Sequence, residues 1–275
     1  MVAFQVGKAS KPSISKDNLL NIQEELTKLG YSLHVIDSER KVDDISLSMF
    51  DNLLDLAEEL GGKTIPVFTI PVRRGDFEER LSGCLEILKK HNVGGVCIVA
   101  GNPAYLDDEE LAKPVRPLLV KAAEVLSREA TQDGKLLMIG TENVERIAAY
   151  ISSRYGAIPF TLLDDGKHGE LKWFREKTGM PVAVYAPYHV GNPLSEQALN
   201  RARAYAARRL HRDYDEDAVR MKITQVAILG DVERVGGRLE QLAGAGASII
   251  VGYPLDDGIE QLRKLAEVIH FWAAR

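Results

Sequence analysis

Short β-branched apolar runs alternate with longer amphipathic stretches from one end of this chain to the other, and that alternation restricts the fold more than any single motif does. Eight runs read as strands, at residues 2–6, 33–36, 64–70, 95–100, 136–139, 158–163, 182–185 and 248–251. Most are followed by Gly, Pro, Asp or Asn before the next helical pattern begins. Strands joined through helices run parallel, because a parallel neighbour is reached only by a crossover, and a strand buried on both faces carries a continuous apolar run. The last unit is the clearest: a polar turn at Gly230 and Asp231 opens a helix that ends near Gly244-Ala245-Gly246 and feeds the run Ala247-Ser248-Ile249-Ile250-Val251. Eight such units in 275 residues with 45% hydrophobic content predict an α/β fold, one (β/α)8 TIM-type barrel over residues 1–275. An open doubly wound sheet usually has only five or six strands.

Helix boundaries are also legible. Ser15-Lys16-Asp17, Ser46 and Asp76 stand before helical patterns over 18–29, 47–60 and 77–90, and Gly30, Gly61 and Gly156 sit where left-handed caps belong. One stretch breaks the rhythm. Between the seventh and eighth strands, residues 194–229 hold an Ala- and Arg-rich helix over 197–211, an acidic run, and a further element over 219–229. This predicts extra helices on the top or side of the barrel, with the last element alternatively a ninth strand.

Composition excludes several classes. A formal net charge of −5, with Lys and Arg interleaved among Asp and Glu, offers no basic face for nucleic acid. Cys84 and Cys97 both lie in apolar segments and read as reduced core residues. Residues 1–8 lack the pattern of a secretory signal, and no apolar run approaches the ~18 residues of a membrane span. A cytoplasmic protein with no membrane partner is the expectation.

Beyond the fold, the residues resemble a known superfamily. Gly230, Glu233, Val235, Arg238, Leu239, Ala245, Gly246 and Pro254-Leu255 are similar to the C-terminal helix and strand of the luciferase-like superfamily, and especially of the F420-dependent methylenetetrahydromethanopterin reductases. The stretch from Glu25 to Tyr31 and on to Val35-Ile36-Asp37 resembles that family's first helix and second strand. Ile70-Pro71-Val72-Arg73-Arg74 resembles the end of its third strand, and Leu136 to Thr141 its fifth strand and phosphate-facing turn. The resemblance implies a barrel enzyme that moves hydride between the deazaflavin F420, or FMN, and a small substrate such as a methylene-tetrahydropterin, and that assembles as a homodimer or higher homo-oligomer. Asp37-Ser38 stands where the family often has Asp-His, Ala100-Gly101-Asn102-Pro103 replaces a Gly-x-Gly, and the chain is shorter than usual. A second reading is therefore a cofactor-poor barrel that binds or regulates.

The site residues follow from strand ends, where barrels gather function. A cofactor would meet Asp37, Ile70, Ala100, Gly101 and Asn102, with its phosphate at Gly140 and Thr141, where a helix start offers N–H groups and a hydroxyl. Glu142 in the same turn would repel an anion, and an ordinary cap or turn explains these residues equally well. Arg73 and Arg74 suit an anionic tail of cofactor or substrate, or a solvated basic turn. Asp164 and His189 would face substrate. With Asp37, Asp165 and His168 they follow strands, but no His-x-His or His-x-x-x-His spacing supports a metal site. No residue emerges as catalytic, because the cofactor carries the chemistry of hydride transfer. Lys8 is the lysine placed for Schiff-base chemistry, and Val6-Gly7-Lys8-Ala9-Ser10 lacks the upstream glycine of a P-loop.

Overall fold

The computed structural model describes residues 5–10, 16–39, 41, 45–129, 134–210, 215–256 and 258–273. Within them the chain alternates strand and helix: β1 (Gln5–Ser10), α1 (Lys16–Lys28), β2 (Leu33–Ile36), α2 (Leu47–Glu59), β3 (Ile65–Pro71), α3 (Phe77–Leu88), β4 (Gly95–Val99), α4 (Asp108–Ala112), α5 (Val115–Glu129), β5 (Leu136–Gly140) and α6 (Glu145–Tyr155). Then come β6 (Ile158–Leu162), α7 (His168–Thr178), β7 (Val182–Val190), α8 (Glu196–Arg209), α9 (Glu216–Val226), β8 (Ile228–Gly230), α10 (Val232–Gly244), β9 (Ala247–Pro254) and α11 (Glu260–Ala273).

All strand pairs are parallel, and eight strands close a ring: β1 to β7 in order, then β9, which returns to β1 through Gln5↔Ile249 to Lys8↔Gly252. This is the expected eight-stranded barrel. The interruption between the seventh and eighth barrel strands supplies two helices, α8 and α9, and also a ninth strand. That strand, β8, pairs with the end of β7 through Tyr188↔Ile228 to Val190↔Gly230.

Strand alternation sorts the apolar residues into two layers. Inside the ring pack Ala9, Val35, Val67, Cys97, Met138, Ala183 and Val251, capped toward the C-terminal end by Val99, Phe160, Tyr185 and Tyr253. The alternate positions, such as Ile36, Phe68, Ile70, Ile98 and Val184, face the helices and form the larger core with Leu53, Leu119 and Phe174. Each such buried side chain stabilises the fold by roughly 1.5–3 kcal/mol. Both cysteines are buried free thiols, Cys84 in the outer layer and Cys97 inside the barrel.

Local chemistry sets the helix ends. Ser46, Ser195, Asp215 and Asp231 accept backbone N–H bonds three residues on, and Asp107 with Glu110 forms a reciprocal capping box. Gly156 ends α6 in the left-handed conformation as expected. Asp76 precedes α3 but caps nothing, because its carboxylate holds Arg74 instead. The cap expected at Ser15 lies outside the described residues. Small Ala198, Ala202 and Ala206 on α8 let α9 approach through Val219 and Ile223, and this helix pair stands over the C-terminal end of the barrel.

Candidate functional site

At the C-terminal mouth, the ring is lined by side chains that continue the inward face of each strand. From β7 and β9 come Tyr185 and Tyr253, their rings 6.2 Å apart and within 22° of parallel, while Phe160 from β6 meets Tyr185 edge-on at 6.3 Å. Tyr205 of α8 lies 6.3 Å from Tyr185 on the other side. Its hydroxyl is buried and has no hydrogen-bond partner among the described residues, and burial pushes it up to about 12. A buried hydroxyl that finds no acceptor costs about 1–3 kcal/mol.

Opposite this aromatic wall stand two carboxyls that follow β2. Asp37 continues the inward face of Val35, and its Oδ1 accepts the backbone N–H of Glu39 at 3.2 Å. Glu39 reaches the β4 end, where its Oε2 accepts the N–H of Asn102 at 3.3 Å. Burial pushes the Glu39 carboxyl up to about 8; nearby Asp37 and Glu142 add to the rise, and the Asn102 N–H and the Arg73 guanidinium oppose it. Glu39 is half-buried, and its reach to the β4 end was not visible in the sequence. The sole signal was its place two residues after the inward-facing Asp37.

The other sequence-derived positions divide. Ala100 and Gly101 line the same edge, and their carbonyls are taken by Arg73, Nε to Ala100 at 2.8 Å and Nη2 to Gly101 at 2.7 Å. Asn102 spends its side-chain oxygen on the N–H of Ala104 at 3.0 Å, as a turn former does. Gly140 faces inward, where any Cβ would lie 2.9 Å from Val99 Cγ1, so packing between β4 and β5 demands the glycine. Thr141 gives its backbone N–H to Phe160, and Glu142 in the same turn is held by Arg209 of α8. That turn therefore presents a guanidinium beside a carboxylate instead of open amides.

Ile70 and Arg74 are directed away from the mouth. Strand alternation turns Ile70 into the helix layer, fully buried, and gives the inward place to Thr69. Arg74 is buried between the Ser38 carbonyl, 3.0 Å from Nη1, and Asp76, which it grips with two bonds at 3.0 and 2.6 Å. Asp164 pairs with Lys222 of α9 at 2.8 Å; burial works to raise its carboxyl, but Lys222 and the Gly166 N–H outweigh it and hold it low. His189 sits 3.0 Å from Asp256, and burial, with Lys264, lowers it against the opposing pull of that carboxylate. Asp165 and His168 lie 3.2 Å apart at the start of α7, where Arg238 also holds Asp165. Among the described residues no group of three or more His, Cys, Asp or Glu is arranged to hold a metal.

A closed parallel barrel with aromatic and ionisable side chains gathered at its C-terminal mouth has the layout common to barrel enzymes. The chain belongs to a family of unknown function, DUF7388, whose model matches residues 18–262. No curated protein matches it in sequence. In structure it is similar to an F420-dependent secondary alcohol dehydrogenase solved with an F420-acetone adduct, at TM-score 0.72 and 14% identity over 98% of this chain and 99% of that one. It is also similar to the coenzyme F420-dependent tetrahydromethanopterin reductase of Methanopyrus kandleri (TM-score 0.65, 13% identity, 98% and 96% covered). A third similar structure is the EDTA monooxygenase of Chelativorans sp. BNC1 (TM-score 0.67, 9% identity, 99% and 94% covered). At such identities the likeness establishes a shared fold. No helix among the described residues is long and apolar enough to cross a membrane.

Proposed function

We propose that this barrel is an oxidoreductase that holds F420 or FMN at its C-terminal mouth and moves hydride to or from a small molecule bound beside the ring. The observation that carries this reading is the buried Tyr205 hydroxyl, left without a partner beside Tyr185, where a flat ligand with polar edges would supply both a stacking face and an acceptor. The residues present fit such a group. Tyr185 and Tyr253 offer aromatic surface; Asp37, Glu39 and the Ala100 to Asn102 edge offer polar contacts for a ring; and Arg208 and Arg209 on α8 offer cations for an anionic tail near Gly140 and Thr141. When bound, the ring supplies the two-electron chemistry, and the protein supplies position, charge and exclusion of water. The fold's use of F420 in the alcohol dehydrogenase and in the tetrahydromethanopterin reductase supports the same assignment. A small polar substrate such as a methylene-tetrahydropterin would sit beside the ring at the same mouth.

A second reading, a cofactor-poor barrel that binds or regulates, is favoured by a different observation. Gly140 and the Ala100-Gly101 carbonyls are already accounted for by packing and by Arg73. Titration of the purified protein with F420 and with FMN, followed by thermal unfolding, separates the two. A cofactor held ~100-fold above its dissociation constant adds about 2.7 kcal/mol of stability. A shift with one of them supports the oxidoreductase, and no shift with either leaves the binding barrel.

A further inference from the structure

Helix α2, on the outside of the barrel, departs from the charge pattern of the rest of the chain. Elsewhere Lys and Arg are interleaved with Asp and Glu, but residues 42–62 carry Asp43, Asp44, Asp51, Asp55, Glu58 and Glu59 and no basic residue. The inner face of α2 serves the core through Met49, Phe50, Leu53, Leu54 and Ala57. A second stripe, Asn52, Asp55, Leu56 and Glu59, recurs at i, i+3, i+4 and i+7 and so shares one face of the helix. Together with Leu20 and Glu24 of α1, this stripe walls an open groove of about 360 Å³ between the two helices. Its apolar side chains, Leu20 and Leu56, are half-buried. Acids stand on both walls, Glu24 on α1 and, one turn apart on α2, Asp55 and Glu59. Among the described residues a lysine or arginine reaches only Glu24 of these three, as Lys28 at 3.7 Å on an exposed edge. Behind the α2 wall, Asp51, Glu58 and Asp55 lie 2.8, 3.5 and 3.8 Å from the ring nitrogens of His91. One imidazole shared by three carboxylates leaves the wall negative in either state of the ring.

We infer that this groove is a docking surface for a basic amphipathic helix of another protein, whose apolar stripe lies on Leu20 and Leu56 while lysines or arginines along its two flanks face Glu24 on one side and Asp55 and Glu59 on the other. Charge and shape together choose this occupant. An apolar floor calls for apolar side chains, which a simple cation lacks, and acids on both walls call for cations on both edges of the stripe. The groove runs between two helices, which suits an elongated partner laid along it. A second copy of this chain is the wrong occupant, because a two-fold contact presents the same patch from both sides and would set the acids of α2 against themselves. The rim charges speed encounter and make binding weaken with salt, whereas the leucines hold the docked helix. None of this depends on what occupies the barrel mouth.

The test uses the full chain and a fluorescent peptide of about 18 residues, long enough to form a helix, with leucines at i, i+3, i+4 and i+7 and lysines elsewhere. Anisotropy should show saturable one-to-one binding that weakens as salt is raised. Leu56→Gln, and separately the pair Asp55→Asn with Glu59→Gln, should each weaken it about 10-fold, as should scrambling the peptide at constant composition. Amide exchange at residues 20–24 and 52–59 should slow when the peptide is bound. Unfolding curves confirm that the variants fold, since the side chains changed lie outside the buried face of α2. Equal binding of the scrambled peptide, or unchanged binding in either variant, overturns the proposal. Sedimentation of the protein alone examines the other occupant: a dimer that Leu56→Gln dissociates would give the face to a second copy and overturn it as well.

Discussion

Two polar regions of this barrel lie on opposite sides of the same strands, and they differ in whether their hydrogen bonds are complete. On the outer face of β1 and β2, beneath α1, Lys8 Nζ donates to Ser10 Oγ at 2.8 Å, Ser10 meets His34 Nε2 at 2.8 Å, His34 Nδ1 meets Gln23 Oε1 at 2.9 Å, and Gln23 Nε2 donates to the Thr64 carbonyl at 2.9 Å. The far end fixes every direction. Gln23 donates to Thr64 and so accepts from His34 Nδ1–H, and a neutral His34 then accepts the Ser10 hydroxyl on Nε2. Burial, with help from Lys8, holds His34 well below its ordinary range, in agreement with that tautomer. All four side chains are at most 5% exposed. At the mouth, by contrast, and among the described residues, the Tyr205 hydroxyl has no acceptor and the Glu39 carboxyl has one backbone donor. Polar groups that satisfy one another hold a structure together, whereas polar groups left open at a mouth are available to a ligand.

The most damaging way to break the outer chain is Gln23→Leu, which strands both the His34 Nδ1–H and the Thr64 carbonyl. Two buried groups losing partners at about 2 kcal/mol each should cost about 4 kcal/mol in urea unfolding. Affinity for a mouth ligand should not change.

Lys8 sharpens the same contrast through pH. Burial lowers its ammonium from 10.5 to about 8. Between those values the unfolded chain holds a proton that the folded protein has released, so Lys8 contributes a rise in stability with pH across that window, by on the order of 3 kcal/mol, while buried Cys84, Cys97 and Tyr205, whose protons burial retains, contribute with the opposite sign. Chemical unfolding of the wild type and of Lys8→Met at pH 8 and pH 10.5 isolates it: the wild type should gain on the variant by that amount as pH rises.

At the mouth the expected pattern inverts. Tyr205→Phe removes a hydroxyl that has no partner, so the folded protein should be unharmed or slightly stabilised. Binding of F420 or FMN should weaken about 10-fold, or ~1.4 kcal/mol. Arg209→Gln is the mildest change. Its pair with the half-exposed Glu142 contributes under ~1 kcal/mol to stability. Affinity for an anionic cofactor, measured across salt concentrations, should fall and lose part of its salt dependence.

The barrel was legible because parallel strands leave an apolar signature and β2 is bounded by glycine and aspartate; its predicted limits, 33–36, match Leu33–Ile36. The strands that slipped are those with polar residues. Of the run expected at 2–6, residues 2–4 lie outside the described residues, and the strand extends beyond 6 to Ser10, since Lys8 and Ser10 look like turn residues until their shared buried chain is seen. Likewise β7 continues to Val190, through Pro187 and His189, beyond the expected 185. In the site, strand ends located Asp37 and the Ala100 to Asn102 edge, but not the phase that turns Ile70 outward and Thr69 inward. Tyr205, Arg208 and Arg209 were hidden because they reach the mouth from an inserted helix distant in sequence, and Glu39 because in sequence it reads as an ordinary loop acid after β2.

The central claim is that the open polar groups of the mouth are the ligand site and the closed chain is not. Amide hydrogen exchange with and without saturating F420 or FMN tests it directly. Protection is expected at residues 36–39, 99–102 and 201–209, with the helix-facing segments 18–28 and 47–59 unchanged. Protection confined to those outer helices, or none anywhere with either cofactor, would contradict it.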